Sequence, residues 1–335
     1  MIGLSIRRNW FAIVFGIALF VFTGYLLADT FLIPHVYAVA ETVSSNTAAA
    51  ETMPSGATEK QQMTVIQTEV TKAEPETSSV ELEKETEGEE PVLTDTSYAD
   101  GNIQVALTTY RLSDTTVYVA DVQLSSSDYL KTAFADGIYG RNVTEKTSSI
   151  ASSVGAVLAV NGDYYGAQRS GYVIRNGVLY RNSSGGGEDL VIYADGTFGI
   201  IDEDEISAEE LLADGAWNVL SFGPALVQNG EITVTENEEV GKAMASNPRT
   251  AIGVIDDLHY VFVVADGRTN ESSGLSLYEL AQLMQQIGAK TAYNLDGGGS
   301  SSMVFLGNVI NNPTSGGRGT GERSVSDIVY IGYGI

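Results

Sequence analysis

The chain of 335 residues contains no cysteine. Disulfide staples, a thiol nucleophile and thiolate metal sites are therefore excluded. Histidine is nearly as scarce, with two in the whole sequence. His35 stands beside a long apolar run, outside the region expected to fold. His259 sits in "LHYVFVV", whose apolar neighbours give it a strand position and a structural role. Without a histidine placed for chemistry, a Ser-His-Asp triad, a histidine-ligated zinc and histidine-based phosphoryl transfer all fall away. Positive charge is also short: 18 Lys and Arg face 43 Asp and Glu, a formal net charge of −25. Phosphate backbones are held by clustered Lys and Arg, so no nucleic-acid partner is expected. An enzyme drawn from this inventory works with Asp, Glu, Arg, Tyr, Ser and backbone amides.

What is present begins with "RRNWFAIVFGIALFVFTGYLLA", in which Arg7 and Arg8 precede an apolar run from Trp10 to Ala28. A helix needs roughly 20 apolar residues to cross a bilayer. Basic residues ahead of the run favour a cytoplasmic N-terminus, which puts the remainder outside the membrane. The competing reading is a cleaved signal peptide, because "AVA" at Ala38 to Ala40 resembles a small-residue cleavage site. The length of the run and its distance from that site favour a retained single-pass anchor over residues 1–40. From Glu41 to Asp100 the chain holds 14 acidic residues against 3 lysines and few aromatics. Such a segment repels itself and cannot bury enough apolar surface to offset its ordering entropy, so a disordered acidic stalk is expected over 41–100.

From Gly101 onward, short β-rich runs alternate with glycine turns. "TTVYVADVQL", "GAVLAVNGD", "LHYVFVVADG" and "VSDIVYIGY" read as strands, and Asn176-Gly177, Asp195-Gly196 and Asn229-Gly230 as hairpin turns. Two helices carry capping boxes: "SAEELLADG" with Ser207 and Glu210, and "SLYELAQLMQQIG" with Ser276, Glu279 and a terminal Gly288. A weaker helix covers Thr147 to Val154. Many strands and few helices predict a single α+β domain over 101–335, built on a mixed, mainly antiparallel sheet.

Polar residues gather where the apolar strands end. "VNGDYYG" offers Asn161 and Asp163, "SNPRTAIGV" offers Arg249, and "VVADGR" offers Asp266 and Arg268. "NLDGGGSSS" offers Asn294, Asp296, Gly297, Gly298, Gly299, Ser300 and Ser301, while "GERSVSD" adds Glu322 and Arg323. An Asp-Gly pair after a strand is ordinary turn chemistry, and Asp195 and Asp256-Asp257 are read that way. Three consecutive glycines are different, since they carry an entropic cost that one turn does not require. They are justified where backbone must approach a ligand closely and present amides to its oxygens. No "GK[ST]" follows, so the segment is not a P-loop.

Taken in series, "NGDYY", "SFGPALVQNG", "NPRTAIGV", "VVADGR", "GLSLYELAQLM", "NLDGGGSSSM" and "ERSVSD" resemble the phosphodiester glycosidase family over Gly101 to Ile335. The resemblance implies a hydrolase that cuts between a sugar anomeric carbon and a phosphodiester oxygen. It implies a pocket built from Asn161, Asp163, Arg249, Asp266, Arg268, Asp296, Ser300 and Ser301, with Asn294, the glycines and Arg323 beside them. Tyr164 and Tyr165 stand where members of the family often have phenylalanine, and the cysteine-rich extensions of animal members have no counterpart. On this reading Asp296 stabilises or traps an oxocarbenium-like centre, while Asp163 or Asp266 activates water. Arg249 and Arg268 clamp the phosphate, helped by the GGGSS amides and hydroxyls. The implied partners are a sugar phosphodiester or cell-surface glycan, and the membrane through the N-terminal helix. No cofactor is expected, although a structural Ca²⁺ or Mg²⁺ near these aspartates is compatible with the sequence. Two other readings stand beside this one. The first is a non-catalytic module binding surface glycan or teichoic acid. The second is a metal-dependent phosphodiesterase using Asp163, Asp266 and Asp296.

Overall fold

The computed structural model describes residues 3–37, 91–237, 246–315 and 319–334. The acidic stretch expected as a stalk lies, through residue 90, outside the described residues. The ordered domain begins about ten residues earlier than the composition suggested. Val92–Leu93 and Ser97–Ala99 are strands, and Tyr98 is buried and pairs with Val105. The N-terminal helix runs from Gly3 to Phe31, and its Ala12–Phe31 stretch is long and apolar enough to span a bilayer.

Three antiparallel sheets dominate. The largest has nine strands, with Arg249–Asp256 between Thr291–Leu295 and His259–Ala265, and His259–Ala265 in turn beside Thr115–Leu124. Along these strands the two-residue side-chain period divides the buried residues cleanly. Ile252, Phe262, Val264 and Tyr293 face one core; Ala251, Val261, Val263 and Ala292 face another. The helix Leu277–Ile287 covers the second core with Leu277, Leu280, Ala281 and Met284 buried at helical spacing. Both expected capping boxes are formed, at Ser207/Glu210 and Ser276/Glu279, and Gly288 closes the latter helix at φ +99°.

The first core is shared with a five-stranded sheet in which Asp327–Ile331 lies between Leu158–Asn161 and Leu130–Phe134. The expected helix after Thr147 forms over Thr147–Ser153 and packs behind that sheet through Ile150 and Ala151. A third sheet of five strands carries the helix Ala208–Ala213. The α+β class is the observed one. His259 Nε2 donates to Asp121 Oδ2 at 3.0 Å at the start of its strand, in keeping with a structural role. His35 departs from expectation. It is joined to the domain, because His35–Val36 pairs with Gly140–Arg141.

The third sheet contains an acid pair with a measurable consequence. Asp189 is buried, and burial, followed by the neighbouring Glu203 carboxylate, pushes it up to about 9. Burial raises Glu203 as well, but hydrogen bonds from Asp189 and from the amides of Tyr172, Gly185 and Gly187 leave it below its ordinary value. The proton therefore sits on Asp189. The folded state holds that proton more tightly than the unfolded chain. Its contribution is thus complete below the ordinary carboxylate range and is lost as pH climbs toward 9. Asp189→Asn keeps a donor toward Glu203 and removes the titration. Urea unfolding should show the variant more stable than the native chain by on the order of 2 kcal/mol at about pH 8, with little difference near pH 4.

Candidate active site

Ladder register brings the polar strand ends together. Arg249 opposes Ala265 on one side, and Thr250 opposes Leu295 on the other. Arg249, the Asp266–Arg268 turn and Asp296 therefore emerge at the same edge of three adjacent strands. The smaller sheet ends at the same place, because Asn161 opposes Ile328. A cleft of about 320 Å³ opens there, lined by Tyr164, Phe222, Arg249, Arg268, Asp296 and Arg323 together with Asn247 and the three glycines. A recess of about 120 Å³ adjoins it and shares Tyr164, Asp296 and Arg323.

Asp296 is the acid at the centre. Its Oδ2 accepts from Ser300 Oγ at 2.5 Å and from Arg323 Nη2 at 3.1 Å, and Arg323 Nη2 also reaches Ser300 Oγ at 2.6 Å. Among the described residues its Oδ1 accepts no hydrogen bond, and it is not sealed off. Burial pushes Asp296 up to about 6, against the lowering influence of Ser300 and Arg323. Its backbone is held from below: Asn161 Nδ2 donates to its carbonyl at 2.6 Å, and its amide donates to the carbonyl of Gly162. Asn161 is itself fixed, since its Oδ1 accepts from Thr250 Oγ1 and the Ser302 amide. It supports the acid from behind.

Two glycines of the run have a steric reason. A Cβ on Gly297 would lie 2.9 Å from the Pro248 carbonyl, and Gly298 has φ +62° with Arg268 Nη2 only 2.8 Å from where its Cβ would be. Gly299 meets nothing closer than 3.4 Å. The first two therefore let Arg268 and the 248–249 backbone close over the loop. The amides do less than expected as an anion cradle. Those of Gly298, Ser300 and Ser301 donate to the carbonyls of Pro248, Gly297 and Gly298. The positive charge in the cleft comes instead from guanidinium groups. Arg268 is exposed and anchored through Nε and Nη2 to Asn247 Oδ1 at 3.1 and 2.9 Å. Arg249 is buried and its Nε donates to the Leu275 carbonyl.

Two expected water-activating acids are placed elsewhere. Asp163 is sealed, with Oδ1 accepting from the Tyr165 amide and Oδ2 from Arg175 Nη2 and the Ser221 amide. Arg175 also binds Asp327 Oδ2 through Nε and Nη2, so one buried guanidinium serves two carboxylates. Burial and the adjacent Asp163 charge raise Asp327, and Arg175 opposes them. Asp266 is buried too, accepting from the Asn312 amide, Asn311 Nδ2 and Tyr118 Oη, and burial raises it. Neither lines the cleft. The three aspartates are committed separately and do not converge as one ligand set; among the described residues no group of three acidic or histidine side chains is arranged to hold a metal. Asn294 and Ser301 are sealed beneath the cleft, with Asn294 Nδ2 donating to the Gly223 carbonyl.

Phe222, Asn247, Arg175 and Asp327 were not expected at the site from the sequence. Phe222 lay within a quoted motif, "SFGPALVQNG", whose aromatic could have been a signal. Arg175 precedes a hairpin turn and reads as an ordinary strand residue. In the cleft, Tyr164 and Phe222 supply the aromatic part of the lining.

Comparison with known proteins bears on the family and the fold. The family model described as phosphodiester glycosidase matches residues 154–332. The chain is 32% identical over 201 residues to a prophage-derived uncharacterized protein, YomE, of Bacillus subtilis, covering 58% of this chain and 31% of that protein. It is 30% identical over 176 residues to the mouse N-acetylglucosamine-1-phosphodiester alpha-N-acetylglucosaminidase, covering 48% of this chain and 34% of the enzyme. The chain thus spans about a third of the length of the curated relatives it matches. Among solved structures, the catalytic domain of the zebrafish N-acetylglucosamine-1-phosphodiester alpha-N-acetylglucosaminidase, auto-inhibited by its pro-peptide, superposes with a TM-score of 0.54. The identity is 21%, over 68% of this chain and 82% of that one, a likeness of fold. The family match takes in more than half of the chain, including Asn161, Arg249, Arg268, Asp296 and Arg323, and so the chain belongs to the phosphodiester glycosidase family.

Proposed function

We propose that this chain is a hydrolase that cleaves the sugar C1–O bond of glycosyl phosphodiesters, of the N-acetylglucosamine-1-phosphodiester type, at the outer face of a membrane to which its N-terminal helix anchors it. The observation that carries the reading is the free Oδ1 of Asp296 in a cleft whose other charges are the guanidinium groups of Arg249, Arg268 and Arg323. Oδ1 faces positive charge developing at C1 while the C1–O electron pair departs onto the phosphate. The departing group is a phosphate monoester, a weak base near neutrality, so no separate general acid is required. The arginines neutralise it. Water supplies the oxygen that ends on C1, and its proton passes to the phosphate, whose second pKa is about 6.

Hydrolysis of an N-acetylglucosamine-1-phosphodiester in ¹⁸O-labelled water tests this directly. Label in the released sugar is the expected result. Label in the phosphate would mean P–O cleavage and would transfer the site to the phosphodiesterase reading; no turnover with tight binding would leave a glycan-binding module.

The role given to the arginines predicts the behaviour of Gly298→Ala. The new methyl group collides with the Arg268 guanidinium and occupies a left-handed backbone position that costs roughly 1–2 kcal/mol. With Arg268 displaced, kcat/KM should fall by about 10²-fold, mainly through KM, while circular dichroism stays native. An unchanged KM would separate Arg268 from phosphate binding.

A further inference from the structure

A second polar cavity lies apart from the Asp296 cleft, where the N-terminal helix meets the domain. It measures about 490 Å³ and is lined by Tyr37, Tyr139, Tyr180, Arg141, Arg169 and Arg181, with Asp29 as its one acid. Three arginines in one cavity stand out in a chain with 18 basic residues against 43 acidic ones. Their donors are not used up. Arg141 Nε and Arg181 Nη2 are buried without an acceptor. Arg169 is exposed and enters no hydrogen bond or ion pair among the described residues.

The position of the cavity along the chain gives its surroundings. Arg141 Nη2 donates to the Asp29 carbonyl at 3.2 Å and lies 3.8 Å from its carboxylate. Asn142 Nδ2 donates to the carbonyls of Thr30 and Ile33, and the Tyr37 amide to that of Tyr139. Asp29 is two residues from the end of the apolar Ala12–Phe31 span. Twenty helical residues cover about 30 Å, the thickness of the hydrocarbon layer, so the cavity falls within the headgroup layer, roughly 5–8 Å deep. Tyrosines favour that depth, and basic clusters there attract anionic lipid.

We propose that this cavity binds the phosphate of an anionic phospholipid headgroup and so fixes the domain's orientation on the bilayer. Unesterified phosphate oxygens accept from Arg169 and from Arg141 Nη1, which bonds to none of the described residues, while the Arg181 charge adds attraction from the wall; the net positive lining selects anionic over zwitterionic headgroups. The site is distinct from the hydrolytic one and rests on the N-terminal helix crossing the membrane.

The test uses the full chain in phosphatidylcholine nanodiscs doped with spin-labelled phosphatidylglycerol or spin-labelled phosphatidylcholine, reading the fraction of immobilised label. The native chain should hold phosphatidylglycerol several-fold more than phosphatidylcholine. Arg169→Gln should cut that preference by about five-fold, and Arg169→Glu further, with unfolding profiles unchanged. Arg169 makes no internal bond, so these variants should fold. Equal retention of both lipids by the native chain, or a preference untouched by both variants, would overturn the proposal. Release of the bound lipid by inorganic phosphate alone would assign the cavity to free phosphate and overturn it likewise. Extraction of the chain from membranes by alkaline carbonate would remove the anchor itself, and the headgroup site with it; this separates that failure from the others.

Discussion

Asp296→Asn should reduce kcat on a glycosyl phosphodiester by on the order of 10⁴, with substrate affinity nearly kept. The substitution preserves shape, and Ser300 Oγ and Arg323 Nη2 retain an oxygen acceptor at the Oδ2 position. It removes the negative charge that faces C1. Stability should move in the opposite direction. Burial raises Asp296 from 3.8 to about 6, so the folded chain holds its proton more tightly than the unfolded chain does. The stability linked to that proton is complete below the ordinary carboxylate pKa and is lost as pH rises through about 6. At neutral pH the asparagine variant should therefore be the more stable by roughly 1–3 kcal/mol. An inactive yet stabilised protein cannot be dismissed as misfolded. The native chain should lose kcat/KM as pH falls through about 6, in step with protonation of this carboxyl. A flat profile across that range, or an Asp296→Asn variant with near-native turnover, would remove Asp296 from the chemistry.

The second large effect is structural. Arg175 lies between Asp163 and Asp327, at 2.8 Å from each through Nη2, and all three side chains are buried. Arg175→Met strands two carboxylates in the interior, and breaking such a pair costs roughly 3–5 kcal/mol. The chain should unfold at markedly lower urea, and part of the loss should return at acidic pH, where the stranded carboxyls take up protons. Adding Asp163→Asn and Asp327→Asn to the methionine variant should restore most of the stability, because the buried charge is then gone. If the single variant unfolds like the native chain, the cluster contributes little. Activity should suffer as well. The Gly162 amide donates to the Asp327 carbonyl, and the Asp296 amide donates to the Gly162 carbonyl, so the cluster is two bonds from the candidate acid.

These two residues also mark where the sequence was legible. Asp296 and Arg268 could be picked out because each follows an apolar strand with a charge beside glycine, and Arg249 because it opens one; antiparallel register then carries these three to one edge, where Arg323 joins them from a later segment. The capping boxes and the Asn176-Gly177 and Asn229-Gly230 turns, with positive φ at both residues of each pair, were legible because their causes lie within four residues. Asp163 misled for the same reason that Asp296 did not: both follow an apolar strand, and only tertiary packing reveals that one is met by Arg175. That arginine is twelve residues away in sequence, inside an ordinary hairpin. The docking of His35–Val36 on Gly140–Arg141 was hidden as well, since no local pattern links two-residue strands so far apart.

The small sheet carries a consequence for timing. Its strand Asp327–Ile331 is made by the ribosome long after the neighbours it must separate, Leu130–Phe134 and Leu158–Asn161. Until it slots in, Gly162 lacks the carbonyl that receives its amide, and the floor beneath Asp296 is missing. Pairings between such remote segments form slowly. A chain threaded across a bilayer during synthesis would thus travel as an incompetent precursor and mature only on the far side.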